Sequence, residues 1–526
     1  MPRGIGAVVG ACLAVLGCSA LAGCSSEPEP EGLAWRSCGT TVDVSAAHVP
    51  ADRLPHLSFG CATVEVPLAP TTPGRVSAAG STGAEERSGD RGSTLEIHLV
   101  RIHHDGTATE PAQAAPSPSS ASREPLLLIA GGPGQSGVDN AVFAAGYLPT
   151  ELFGRFDLVG FDPRGVGRSD PIRCRREDAG TPPLVDLATT DGYESVAAST
   201  RRGTASCLTA LGARAEHYST TETAMDVDLI REALGQEALT YVGWSYGAKL
   251  GAEYARLFPH RVRAAVLDAP TDPTVTWLET TARQVAGFEE SFDRFAAWCS
   301  SRPDCDGLGD VRALATRLVD EAEATPIPSG RPGDDVPSTG GDLLNGVVSA
   351  LYLDVRWPDL AAGLAEADAG DSGTLRELGD AEQGARREDT NAADALFVIN
   401  CNDSAAWPSE SEIRATAGRL AKQHPLFGRW GSPQLLMCAY WSPPRHTLRP
   451  PVAATANRVL VVGTVHDPAT PYAGAAAMAT SLGNATLLTW EGVGHTAFGR
   501  SPCVNEHVTA YLTDLRVPPE GTRCPP

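Results

Sequence analysis

Short apolar runs recur along the chain, separated by stretches with helical spacing. Pro125–Ala130, Phe156–Phe161, Leu239–Gly243 and Ala264–Asp268 are near-continuous hydrophobic segments of strand length. Runs of this kind suit strands covered on both faces. Between and after them, Thr223–Leu234 and Ala248–Leu257 carry the spacing of helices. Two further strand-like runs, Arg458–Gly463 and Ala485–Trp490, come late in the chain. Such alternation predicts an α/β class protein with a mostly parallel, doubly wound sheet. Ahead of it, Cys61–Leu68 and Thr94–Ile102 read as a β-hairpin or meander. Residues 69–93 between them, and 105–123 after them, lack periodicity and read as disordered insertions. From about Val275 to Pro451 the pattern becomes helical and loop-rich, with Trp277, Trp298, Trp357, Trp407 and Trp441. The expected organisation is therefore a core over 33–274 and 452–526, interrupted by a helical cap at 275–451. A cap there would exclude water and shape a pocket. Its tryptophans are expected to build the cap's own core rather than pocket walls.

Candidate chemistry sits at the ends of these runs. Gly243-Trp244-Ser245-Tyr246-Gly247 joins the 239–243 strand to the 248–257 helix. Strand, G-x-S-x-G and helix together are what a nucleophile elbow requires. Glycines on both sides tolerate the sharp turn that exposes the serine, whereas a serine that merely caps a helix needs neither. An acid and a histidine should follow in that order. Asp467 lies in the loop after 458–463, and His495 in the loop after 485–490. Both loops fall at strand carboxyl ends, where open parallel sheets place their sites. His495 would take the proton from Ser245, and Asp467 would orient the imidazole and stabilise its charged form. His466 neighbours the acid too closely to be oriented by it and reads as a loop residue. His98, His103, His104, His260, His424, His446 and His507 lie in no such loop, and surface or satisfied polar roles are expected for them.

An oxyanion needs donors. Gly131-Gly132-Pro133-Gly134-Gln135-Ser136-Gly137 follows the 125–130 strand, and the N–H groups of Gly132 and Tyr246 are the candidates. Gly132, Gly134 and Gly137 also satisfy the G-x-G-x-x-G spacing of a dinucleotide loop. The residues after Gly137 match poorly the helix such a loop should open, which counts against that reading. No Gly-Lys-Ser/Thr follows, so a P-loop is excluded.

The amino terminus changes the picture of where the protein works. Arg3, an apolar stretch from Gly4 to Leu16 and Leu21-Ala22-Gly23-Cys24 read as a signal peptide over 1–23. The last four residues are similar to a bacterial lipobox, which implies a lipid on Cys24 and a tether over 24–32; an ordinary signal peptide is the alternative. The resulting location is an extracytoplasmic membrane face, or full secretion. With Cys12, Cys18 and Cys24 set aside, ten of the 13 cysteines remain. In an exported chain that count suggests up to five disulfides, with pairing in chain order the expectation because each loop stays short or moderate. A metal site is less expected, since no C-x-x-C pair or Cys/His cluster exists. The net charge of −22, without a basic cluster, argues against nucleic acid and anionic surfaces as partners.

The motifs then combine. Gly131-Gly-Pro-Gly134, Asp157–Asp170 with its Phe-Asp-Pro-Arg-Gly turn, Gly-Trp-Ser245-Tyr-Gly, Asp467-Pro-Ala-Thr-Pro471 and Gly-Val-Gly-His495 occur in order. The chain resembles α/β-hydrolases of the prolyl aminopeptidase class, especially secreted bacterial tripeptidyl aminopeptidases and their lipoprotein relatives. The resemblance covers Trp35 to the carboxyl terminus, most densely 125–275 and 458–500. It implies Ser245 as nucleophile, Asp467 as acid and His495 as base, without cofactor or metal. It also implies peptide substrates with a free amino terminus, bound by a carboxylate of the cap. Asp403, in Ile399-Asn-Cys-Asn-Asp403, is the candidate anchor, with a loop or capping aspartate as the alternative. Asp162 and Arg164 are expected to fix a turn through an ion pair. Ala130 departs from the class, where histidine is usual, and the 69–93 insertion is longer than the class hairpin. A carboxylesterase on the same triad, or a non-catalytic binding protein on the same scaffold, stays open, because substrate choice lies in the pocket and not in the fold.

Overall fold

The computed structural model describes residues 33–39, 42, 49–70, 93–104, 123–174, 184–331, 336–383 and 391–526. The signal segment, Cys24, the tether and most of the 69–93 and 105–123 insertions lie outside the described residues.

Ten strands form one sheet: β1 (Arg36–Ser37), β2 (Leu57–Pro67), β3 (Thr94–His104), β4 (Glu124–Ile129), β5 (Phe156–Phe161), β6 (Leu239–Trp244), β7 (Val262–Asp268), β8 (Val459–His466), β9 (Ala485–Val493) and β10 (Arg523–Cys524). Their order is β1-β2-β3-β5-β4-β6-β7-β8-β9-β10. β1 to β3 run antiparallel, β3 meets β5 antiparallel, and every later pairing is parallel. The predicted hairpin and six later strands all appear; β2, β4 and β7 begin before the expected runs, and β3, β6, β8 and β9 end after them. Every residue of β5 and β6 is buried, as the unbroken apolar runs require. Covering one such Leu, Ile or Val contributes about 1.5–3 kcal/mol. Two buried clusters flank the sheet, one around Leu127, Val159, Tyr241 and Val461, the other around Leu126, Leu158, Val266 and Leu488. Alternate residues of each strand thus serve opposite faces.

Between β7 and β8 the chain is helical, including Trp277–Cys299, Val311–Ala324, Gly340–Leu351, Trp357–Asp368 and Glu410–Gln423. These share a third cluster built on Phe288, Phe292, Phe295, Trp357 and Phe427. Helix Thr190–Leu211, from before the nucleophile, lends Tyr193, Val196 and Ala197 to that layer. Conversely, helix Ala392–Asp403 packs Phe397, Val398 and Ile399 on the sheet's own cluster. Trp357 is buried in the helical layer's cluster and Trp441 in the sheet's, while Trp277, Trp298 and Trp407 are half-buried. Trp298 and Trp357 pack edge to face at 5.8 Å, Trp277 and Trp407 pack at 5.6 Å, and Trp441 meets Phe397 at 5.4 Å.

The ten cysteines pair in chain order: Cys38–Cys61, Cys174–Cys207, Cys299–Cys305, Cys401–Cys438 and Cys503–Cys524. No helix among the described residues is long and apolar enough to cross a membrane.

One expectation fails after the glycine loop. Gly137–Tyr147 is a helix, capped by the Ser136 hydroxyl, which accepts from Asp139 N at 3.1 Å. Its buried positions, Val138, Ala141, Val142, Ala144 and Ala145, do follow helical spacing, but all five are small or β-branched, which conceals it. Gly137 is required by contact: a Cβ there would stand 1.9 Å from the Phe161 carbonyl oxygen.

Candidate active site

Ser245 stands between β6 and helix Tyr246–Leu257 with φ 54° and ψ −116°. A positive φ in a non-glycine residue costs on the order of 1–3 kcal/mol and persists only where the surroundings enforce it. The enforcement is visible. Ser245 N donates to the Asp268 carbonyl at 2.8 Å. A Cβ on Gly243 would lie 2.2 Å from Gly247 O, and one on Gly247 would lie 2.1 Å from Ile129 O. Only glycine fits on either side of the serine. The glycine loop passes alongside, since a Cβ on Gly131 would come 3.4 Å from Ser245 Cβ. Gly132 takes φ +106°. Tyr246 opens its helix, so its N–H belongs to the first-turn donors that have no partner within the helix.

Asp467 and His495 meet directly. His495 Nδ1 lies 2.9 Å from Asp467 Oδ2 and 3.0 Å from Oδ1. The Asp467 side chain is fully buried. Ala469 N and Thr470 N donate to Oδ1 at 2.9 and 2.8 Å, and the Thr470 hydroxyl donates to Oδ2 at 3.1 Å. These donors satisfy both oxygens of the buried carboxylate and fix its orientation. Thr470 Oγ1 also approaches His495 Nδ1 at 3.3 Å. Thr470 therefore belongs to the site, and its place in Asp467-Pro-Ala-Thr-Pro471 was the available signal. His466 is not a loop residue: it ends β8, pairs with Val493 of β9, and its Nδ1 lies 3.3 Å from Glu290.

The loop beyond His495 reaches back to the serine strand, where Phe498 stacks on Trp244 at 6.4 Å. From the helical layer, the Tyr352 carbonyl accepts from His495 N at 2.8 Å and the Tyr352 ring meets the imidazole edge-on at 5.4 Å.

Asp403 ends helix Ala392–Asp403 and is buried. Its Oδ1 accepts from Thr220 N at 2.9 Å, and its Oδ2 accepts from the Thr220 hydroxyl and from Lys249 Nζ, each at 2.7 Å. Thr220 Oγ1 in turn lies 2.8 Å from the Tyr246 hydroxyl. Asp403 thus ties the inserted segment to the helix that follows Ser245.

Asp162 and Arg164 do not pair with each other. Asp162 accepts from Ser136 Oγ at 2.6 Å, Val138 N at 3.0 Å and Arg168 N at 2.8 Å, fixing the start of helix 137–147. Arg164 pairs instead with Asp226 on helix Thr220–Ala233. That partner is 62 residues away in sequence, beyond the reach of local spacing.

Among the described residues one group of potential metal ligands gathers, Cys503, His507 and Cys524. Its two sulfurs form a disulfide, which leaves no thiolate to bind a cation.

Comparisons with known proteins show the family. The family model for the alpha/beta hydrolase fold matches residues 124–502. The chain belongs to the α/β-hydrolase family. Serine protease Hip1 of Mycobacterium tuberculosis is 35% identical over 422 residues, covering 76% of this chain and 80% of that protein. A protein of the same species named carboxylesterase B is 33% identical over 516 residues, covering 94% and 90%. Tripeptidyl aminopeptidase of Streptomyces lividans is 31% identical over 460 residues, covering 83% and 81%. This α/β-hydrolase is therefore an enzyme of the serine hydrolase type.

Proposed function

We propose that this hydrolase is an exported serine exopeptidase that releases short peptides, tripeptides foremost, from free amino termini. The reading rests on the Asp467–His495 pair, at 2.9 Å between Nδ1 and Oδ2, together with the strained elbow at Ser245. Ser245 attacks the scissile carbonyl while His495 takes its proton. The N–H groups of Gly132 and Tyr246 hold the developing oxyanion, where each such donor is worth roughly 2.7–4 kcal/mol. Collapse expels the amine, protonated by His495, and leaves an acyl-enzyme. Water activated by His495 then cleaves the ester. Relatives named serine protease and tripeptidyl aminopeptidase support peptides as substrates. A carboxylesterase is the second reading, favoured by the relative of that name that matches 94% of this chain.

Three chromogenic substrates separate them: a free-amine tripeptide anilide, its acetylated form and a short acyl ester. Cleavage of the free-amine peptide alone is expected; hydrolysis of the ester with both peptides untouched would establish the esterase. Asp403 is our candidate for the amine anchor, sharing its carboxylate between Lys249 and the substrate. In the same assay Asp403→Asn should lose the free-amine preference. A variant that keeps the preference while losing stability assigns Asp403 to the clamp alone.

Five disulfides support an oxidising compartment, and Leu21–Cys24 supports a lipid anchor at Cys24. Cys24→Ala should move the enzyme from the membrane pellet to the supernatant. Unchanged sedimentation would remove Cys24 as the anchor.

A further inference from the structure

Asp268 closes β7 and is completely buried, yet it is not a member of the Ser-His-Asp triad. It touches both halves of that triad. Its main-chain carbonyl takes the N–H of Ser245 at 2.8 Å. Its Oδ2 takes the N–H groups of Ala497 at 2.9 Å and Phe498 at 2.8 Å, just beyond His495. Its Oδ1 is buried without a hydrogen-bond partner among the described residues. An unpartnered buried carboxylate oxygen costs stability, so an isosteric neutral residue would serve better if packing were its whole purpose.

The loop that Asp268 grips needs gripping. Gly494, Thr496 and Gly499 have φ of +99°, +66° and +97°. Thr496 is β-branched, and such a residue in the left-handed region is strained. Opposing bonds offset the strain. Asp268 holds N–H groups, while Arg500 donates to the carbonyls of Val493 at 2.9 Å, Thr496 at 3.1 Å and His495 at 3.3 Å. Arg500 is itself tied to Asp354 at 2.7 Å.

We propose that Asp268 is the positioning residue of the catalytic base: it fixes the His495 loop through Ala497 and Phe498 and supplies a second negative charge beside the imidazolium. The proposal rests on His495 being the base. When His495 takes the serine proton, Asp467 meets the new charge by direct hydrogen bond and Asp268 meets it through a low-dielectric interior. The groups that face Asp268 are His495 and Asp467 from the two site loops, Tyr147 from helix 137–147, and Arg500. Burial pushes the Asp268 carboxyl up to about 6; the Phe498 and Ala497 N–H groups and His495 pull it back, and Asp467 raises it. Asp268 therefore loses its charge as the pH falls through about 6, and its electrostatic support for the base goes with it.

The test is kcat and KM against pH for the free-amine tripeptide anilide, with Asp268→Ala, Asp268→Asn and His495→Ala. Asp268→Ala releases the loop and should lower kcat by roughly 10²-fold with KM little changed. Asp268→Asn keeps an acceptor oxygen but no charge. With less support for the imidazolium, the acid limb of kcat/KM should move to lower pH. A purely structural Asp268 would weaken the fold without moving that limb. If Asp268→Ala does not fold, the Asp268→Asn profile decides alone. Asp268 variants with wild-type kcat and an unmoved limb, beside an inactive His495→Ala, overturn the proposal and leave the triad standing. An active His495→Ala overturns the triad itself.

Discussion

Ser245→Ala is expected to lower kcat by roughly 10⁴–10⁶-fold while leaving thermal unfolding unchanged. The fold should not notice, because the serine's structural contribution is its backbone. The N–H that donates to Asp268 O at 2.8 Å survives in alanine, as does the glycine packing on either side. Alanine also tolerates φ 54° no worse than serine does. The hydroxyl is lost, and with it the acyl-enzyme. His495→Ala should cost a similar factor, and the double variant little more than either alone, since a nucleophile without its base and a base without its nucleophile fail at the same step. Some catalysis over water should persist from the Gly132 and Tyr246 donors. Steady-state kinetics on the anilide, with denaturation curves for each variant, checks all of this. Undiminished hydrolysis by either single variant would sink the triad.

These residues were legible because each lies at the end of an apolar run, and a run that is buried on both faces has little freedom to be anything but a strand. β6 with Ser245, β8 with Asp467 and the β9 loop with His495 follow from pattern and chain order alone. What escaped has a different physical origin. Helix 137–147 is written in Ala, Val and Gly, and its stability comes from packing on β5, with Ala141 and Gly137 pressed against Gly160 and Phe161. Asp268 is a lone acid after Val266-Leu267; only its place at a strand's carboxyl end marked it, and its role depends on the loop 497–498, more than two hundred residues on. The partners of Asp403, Thr220 and Lys249, are also distant in sequence. His103 fulfils the expected polar role, buried and bonded to Asp157 at 2.6 Å. Sequence periodicity reports which side faces the core; it does not report which two polar groups the core brings together.

Asp226→Ala should be the most destabilising single change outside the active site, by about 3–5 kcal/mol. Arg164 is fully buried. Its Nε and Nη2 form a two-pronged pair with Asp226 at 2.7 and 2.6 Å, and its remaining donors reach the carbonyls of Leu68, His217 and Pro67 at 2.8, 2.9 and 3.1 Å. Burial opposes the guanidinium charge, but the Asp226 carboxylate outweighs it and holds Arg164 protonated. Removing Asp226 leaves that charge in the core with carbonyl dipoles and only the more distant influence of Glu222, because arginine does not shed its proton in proteins. The damage should not stay local. Arg164 belongs to the turn between Asp162 and Asp170, and Asp162 holds Ser136 and Val138 at the start of helix 137–147. A turn that shifts to hydrate Arg164 carries the glycine loop with it, so kcat should fall along with the denaturation midpoint. Replacing both partners, Arg164→Met with Asp226→Leu, removes the orphaned charge and should recover much of the lost stability. A double variant no more stable than Asp226→Ala would mean that the carbonyl contacts of Arg164, and not its charge pairing, secure the turn.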